Sequence, residues 1–115
     1  MNTTSLGSRA EELVARTLTD QGYKILERNW KRPVCEIDIV ASKNGVIIFV
    51  EVKFRSSTAQ GRGIDYITPK KYKQLKFAAE IWVSENSWQG DYRLFAASVK
   101  NHGNQLEIED LLEIN

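Results

Sequence analysis

Apolar and polar positions along the chain alternate with two different periods, and the period changes mark the elements. From about Ser8 to Gln21 the spacing is helical. At ~100° per residue Ala10, Leu13, Val14, Thr17 and Leu18 share one stripe, and Gly22 supplies a left-handed stop. Lys24 to Trp30 reads as a first strand, followed by a turn near Arg32-Pro33. Cys35 to Ser42 reads as a second strand, and Lys43-Asn44-Gly45 is a hairpin signal into a third, Val46 to Phe54. Ser56 to Gly63 is polar and contains glycine, which predicts a mobile loop. Thr68 as N-cap and Pro69 at the first helical position start a second helix that runs to about Asn86. A fourth strand spans Asp91 to Lys100, and Asn101-His102-Gly103-Asn104 turns into a short last strand near Leu106 to Ile108. The predicted order, α-β-β-β-α-β-β, is that of an α/β fold with a mixed sheet flanked by helices. Such an order fixes no function.

The third strand carries a conflict. Val46-Ile47-Ile48-Phe49-Val50 is apolar on both faces, as in a buried central strand, yet it continues into Glu51-Val52-Lys53-Phe54. Alternation puts Glu51 and Lys53 on one face and Val50, Val52 and Phe54 on the other. The second strand repeats the conflict: Glu36 and Asp38 share a face within Cys35-Glu36-Ile37-Asp38-Ile39-Val40-Ala41. Buried charge is costly unless it is paired or bound to metal. Acids on two neighbouring apolar strands therefore suggest a metal site.

Composition narrows the choice of metal and partner. The 115 residues suit one domain, 1–115, with 42% hydrophobic and 27% charged residues, ordinary values for a globular protein. No apolar run approaches the ~20 residues of a membrane span, and Met1-Asn2-Thr3-Thr4-Ser5 lacks the look of a signal peptide. A lone cysteine suits the cytoplasm. One Cys and one His make structural zinc a poor fit. Oxygen ligands instead favour Mg²⁺ or Mn²⁺. The net charge of +1 announces no nucleic-acid partner. Its distribution says more: bases outnumber acids between Lys24 and Lys76, while the last ten residues hold Glu107, Glu109, Asp110 and Glu113 and no base.

Asp38, Glu51 and Lys53 together have the composition of a hydrolytic centre. Two carboxylates from neighbouring strands can hold a hard divalent cation, which polarises a phosphodiester and acidifies a bound water. The lysine can orient that water or stabilise developing negative charge. The alternative is an edge ion pair between Glu51 and Lys53, with Asp38 capping a turn; the apolar flanks argue against it. In the second helix Lys71 shares a stripe with Leu75, Ala78 and Trp82. It stands either near a phosphate at the helix N-terminus or as a snorkelling cover of apolar surface. Lys70, Lys73 and Lys76 form a solvated face or track a nucleic-acid backbone, and Arg55 and Arg62 flank the loop in a similar role. Trp82 falls with the core, while Phe77 and Ile81 form a second apolar strip suited to a homodimer contact.

These blocks resemble a known family. Asp-(x)n-Glu-x-Lys is the signature of the PD-(D/E)XK nuclease superfamily. The ordered set Gly7-x-x-Ala-Glu11, Leu18, Gly22-Tyr23, Ile25-Leu26, Arg28-Asn29-Trp30, Glu36-Ile37-Asp38-Ile39-Val40-Ala41, Phe49-Val50-Glu51-Val52-Lys53-x-Arg55 and Ile67-Thr68-Pro69-x-Lys71 is similar to the YraN family of endonuclease-like proteins. The resemblance spans about residues 7–99. It implies a restriction-endonuclease-like core and Mg²⁺- or Mn²⁺-dependent cleavage of DNA, including branched or damaged DNA. It also implies a helix-one glutamate at the site.

Helical arithmetic favours Glu11, beside Val14 and Leu18, over Glu12, which points outward with Arg9 and Arg16. The other reading of Glu11 is a capping box, Ser8-x-x-Glu11. On the resemblance, then, Asp38, Glu51 and Glu11 are the metal ligands, Lys53 joins them in catalysis, and Arg55, Lys71 and Lys70 meet the substrate. Glu36 supports the metal or pairs with Arg55 or Lys53. Two positions depart from the family pattern. Cys35 replaces a glycine and is expected to pack in the core, opposite Glu36 and Asp38. Phe95 replaces an aspartate in the fourth strand. A binding module that keeps the fold and cuts little or not at all is the rival reading.

Overall fold

The computed structural model describes residues 5–55 and 67–114. The loop expected at Ser56 to Gly63, with Arg62, lies outside them. The elements are α1 (Leu6–Asp20), β1 (Lys24–Arg32), β2 (Cys35–Lys43), β3 (Val46–Arg55), α2 (Pro69–Glu85), β4 (Asp91–His102) and β5 (Gln105–Glu113). They form one five-stranded sheet in the order β1-β2-β3-β4-β5. Neighbours run antiparallel except β3 and β4, which are parallel and joined through the crossover that contains α2. The predicted α/β order with a mixed sheet is the observed one.

The apolar run of β3 is apolar on both sides because a helix covers each. Ile48 and Val50 join Ile39, Ala41, Ala97 and Val99 beneath Ala10, Val14, Ala15 and Leu18 of α1. Ile47 and Phe49 join Trp30, Ile37, Val40 and Leu94 beneath Leu75, Ala78, Ala79 and Trp82 of α2. The Phe49 ring meets Trp82 and Tyr92 edge-on, at 5.5 Å between centroids in each case, the geometry that ring quadrupoles prefer.

The helix ends explain the boundaries. Thr68 caps α2 by accepting from Lys71 N at 3.2 Å, and Pro69 follows it. In α1 the cap is Ser5, whose Oγ accepts from Ser8 N at 3.0 Å. The helix therefore starts before the expected Ser8, and the Ser8-x-x-Glu11 capping box does not form. The last strand also departs from expectation: β5 runs over Gln105–Glu113 rather than ending at Ile108. Its pairing with the twelve-residue β4 shifts by one residue between Ser98 and Val99, so that Glu109 bulges. A bulge of this kind continues the ladder past an interruption in the apolar alternation.

Asn44 and Gly45 connect β2 to β3 with φ of 53° and 79°, a pair of left-handed residues as in a type I′ turn. A β-branched side chain is strained there. Gly45→Val is expected to lower stability by about 1–2 kcal/mol, read as a lower urea midpoint with an unchanged slope.

Candidate active site at the fork of the sheet

The ladder between β2 and β3 ends at Ile39 opposite Val50. Beyond that rung β2 continues paired only with β1, through Trp30–Ile37 and Lys31–Glu36. In the other direction β3 continues paired only with β4, from Glu51–Ala96 to Arg55–Lys100. The sheet forks, and Asp38 and Glu51 are the first residues past the last rung on either side. Val52 N, two residues beyond Val50, has lost a strand partner, and it donates instead to Asp38 Oδ2 at 2.7 Å.

Charge gathers at this fork from both faces of the sheet. Burial pushes the Asp38 carboxyl up to about 7, against the lowering effect of the Val52 N–H; Glu51, Glu11 and Glu36 add repulsion. Burial likewise pushes Glu51 up, with Lys71 and Lys53 opposing the rise and Glu36 and Glu11 reinforcing it. Glu11 comes from α1 on one face and Lys71 from α2 on the other, yet both act on Glu51. Glu12 is exposed, bonded to Arg28 at 2.7 Å and 3.6 Å from Arg16; the Arg28 hydrogen bond lowers its pKa.

A cavity of about 400 Å³ opens beside the fork, lined by Glu51, Glu36, Cys35, Lys71, Leu75 and Phe77 together with the β1–β2 turn and Gln74. Cys35 was expected in the core, away from the site. It does pack against the α2 cluster, but it also lines this cavity. Strict alternation fails at Asp38: Ile37 belongs with the α2 cluster and Ile39 with the α1 cluster, while Val40 returns to the α2 side. A strand leaving its neighbour twists, so faces assigned across the fork by counting in twos do not hold. Gln74 is a cavity residue that the sequence pattern did not single out, and Phe77, expected in an apolar strip with Ile81, lines the cavity as well.

The remaining candidates are distributed unevenly. Lys71 is at the cavity, whereas Lys70 stands on the next flank of α2 with Lys73 and Phe77. Lys53 is half-buried, with Ser98 as its register partner on β4. Arg55 is not among the described residues lining the cavity. Its side chain is 3% exposed and its Nη1 lies 3.3 Å from Glu109 Oε1, which also accepts from Ser98 Oγ at 3.2 Å. The bulge in β5 aims Glu109 at these two partners. The anticipated pairing of Glu36 with Arg55 or Lys53 is absent: Glu36 is exposed and makes no ion pair among the described residues. Trp30 and Trp82 are core residues, and Trp82 Nε1 donates to Glu27 at 3.3 Å. Phe95 lies in register with Val50 and packs against the α1 cluster, on the face opposite the Phe49–α2 layer.

The donor set suits some metals better than others. No group of three or more His, Cys, Asp or Glu side chains that could hold a metal ion occurs among the described residues, so Glu11, Asp38 and Glu51 do not form a ready three-carboxylate cage. Two repelling, desolvated carboxylates do match a hard cation that keeps several waters and takes only one or two carboxylates from protein.

Fold and fork together define a class: an α/β protein with a five-stranded mixed sheet and an acidic cluster where the central strands part. The chain belongs to the family described as uncharacterised protein family UPF0102, whose model matches residues 10–102, in agreement with the YraN resemblance. A UPF0102 protein of Rhodococcus opacus is 34% identical over 107 residues, covering 91% of each chain. A second, from Flavobacterium johnsoniae, is 36% identical over 112 residues, covering 94% of this chain and 91% of its own. A third, from a Sulfurihydrogenibium species, is 38% identical over 107 residues, with 92% and 91% covered.

The raised Asp38 pKa makes stability depend on pH. The folded state holds a proton that the unfolded state releases between 3.8 and about 7, so this group's contribution is fully present below 3.8 and lost as pH rises to about 7. That interval corresponds to roughly 4 kcal/mol, reduced by partial exposure. Asp38→Asn keeps an acceptor for Val52 N and removes the charge. It is expected to be roughly 1–3 kcal/mol more stable than the parent at pH 8 and equal to it near pH 4, measured by urea unfolding at both values.

Proposed function

We propose that this protein is a metal-dependent endonuclease that hydrolyses DNA phosphodiester bonds, with Mg²⁺ or Mn²⁺ as cofactor. The observation that carries the reading is the pair Asp38 and Glu51, one on each strand at the fork, both held above the usual carboxylate range with two lysines acting on Glu51. Carboxylates arranged for folding alone would be paired with arginine, as Glu85 is with Arg32. In this reading Asp38 and Glu51 hold the cation, and Glu11 adds negative charge from the α1 side. A bound cation would supply positive charge that relieves the carboxylate repulsion and polarises the scissile phosphate.

Lys53 faces negative charge developing at the phosphate or orients the attacking water. Lys71 steadies a phosphate at the cavity, where the N-terminus of α2 already favours anions. Lys70 touches the DNA backbone further along. Arg55, tied to Glu109, holds the end of β3 rather than the substrate. The lone cysteine suits a reducing compartment, and the cytoplasm is the proposed setting. Among the described residues no helix is long and apolar enough to cross a membrane.

A second reading, a nucleic-acid-binding module with little or no turnover, draws on two observations. The described residues hold no three-ligand metal group, and Phe95 fills an apolar layer where the family pattern has an aspartate.

Glu51→Gln is expected to reduce Mn²⁺-dependent cleavage of DNA by at least about a hundredfold, a typical loss for a group essential to stabilising charge in the transition state. Its urea midpoint at pH 8 should be equal to or above the parent's. Cleavage at the parental rate in both Glu51→Gln and Asp38→Ala would remove the nuclease assignment. Salt-dependent DNA affinity with no cutting of duplex, single-stranded or branched substrates by the parent would select the second reading.

A further inference from the structure

Phe77 is 49% exposed, an unusual setting for a phenyl ring on a helix that buries Leu75, Ala78, Ala79 and Trp82. It lines two adjoining hollows. One is the Glu51 cavity, which also has Leu75, Cys35 and, at the β1–β2 turn, the 71% exposed Val34. The other is a shallow depression formed with Lys70, Lys73 and Gln74. The ring is therefore a ridge between the Glu51 cavity and a pair of lysines. Lys70, Lys71 and Lys73 make no ion pairs among the described residues, whereas Arg32, on the far side of the cavity, is bonded to Glu85. Cations free to meet phosphates thus lie along α2 on the flanks of Phe77.

We propose that Phe77 is a stacking platform for an unpaired base of single-stranded DNA, whose backbone follows Lys70 and Lys73 and whose next phosphate reaches Lys71 at the Glu51 cavity. The proposal rests on the nuclease reading for the identity of the polymer. Its chemistry is the general one for single strands: aromatic faces take bases of any sequence while cations track the backbone. A blunt duplex keeps its bases stacked on each other and exposes a base face only at its two ends. The surface thereby favours substrates with an unpaired nucleotide beside the reacting phosphate. A second copy of the chain would bring its own lysines to the same flank, and like charges there oppose self-association.

The test compares fluorescence anisotropy of a labelled oligothymidylate and a labelled blunt duplex of equal length, both in EDTA. Phe77→Ala is expected to weaken oligothymidylate binding by about five- to a hundredfold and duplex binding by less than about twofold. Phe77→Trp should retain the parental affinity for the single strand. Lys73→Ala should weaken both probes, because it meets only phosphate. Equal losses on both probes, no loss on either, or no binding of oligothymidylate by the parent overturns the proposal. So does a parental dimer, seen by sedimentation, that Phe77→Ala converts to monomer. Because no cleavage is read, failure to cut DNA in Mn²⁺ would remove the nuclease reading and leave the stacking result standing.

Discussion

The hydrogen bond from Val52 N to the Asp38 carboxylate is the contact on which the site depends. A sheet that forks between two central strands leaves backbone N–H groups without a neighbour, and each such group costs about 1–3 kcal/mol when buried unsatisfied. Here a side chain from one arm of the fork takes the N–H of the other. The solution holds the carboxylate in a half-buried place, where its charge is unfavourable. The two helix layers that clamp the intact part of the sheet are what tolerate that cost. Apolar packing is in this way concentrated behind the fork and unfavourable charge in front of it.

The fork also settles how residues from opposite faces come to act on one carboxylate. In a continuous sheet the backbone separates its two faces, and a helix on one side has little influence across it. Past the last rung that barrier is gone. Glu11, carried by the helix over one face, and Lys71, carried by the helix over the other, both act electrostatically on Glu51. The crossover between the parallel strands β3 and β4 has a part in this, because the chain that leaves β3 just after Lys53 and Arg55 returns as α2 with Lys71 in its first turn.

Much of this was legible in the sequence, for identifiable reasons. The run Ile47-Ile48-Phe49-Val50 could only be a strand covered twice, so the acids that followed stood out, and Asn44-Gly45 declared its hairpin. Thr68-Pro69 marked its helix start within a residue. The fork itself was not legible, because apolar alternation says which face a residue prefers and nothing about where a rung is missing. Counting in twos across that gap puts Ile37 and Ile39 on one face, whereas they lie beneath different helices. Nor did it show that Cys35, packed against the α2 cluster, also reaches the cavity. Ser8-x-x-Glu11 has the spacing of a capping box, but the chain has a serine three residues earlier, and capping there gives the helix nearly another turn. The bulge at Glu109 was hidden for a similar reason: it interrupts the period by which strands are found, so β5 looked shorter than it is.

The two-residue turn between β2 and β3 takes on a different meaning once the fork is known. From Lys43 opposite Val46 the rungs count down without a shift to Ile39 opposite Val50, and the next step brings Asp38 level with Glu51. The turn is thus a ruler for the acids, set five rungs away from them. A residue inserted there would leave both carboxylates in the chain and both strands in the sheet, yet step one acid past the other. Drift in that loop would be felt as a lost alignment of the two acids long before it was felt as a lost fold.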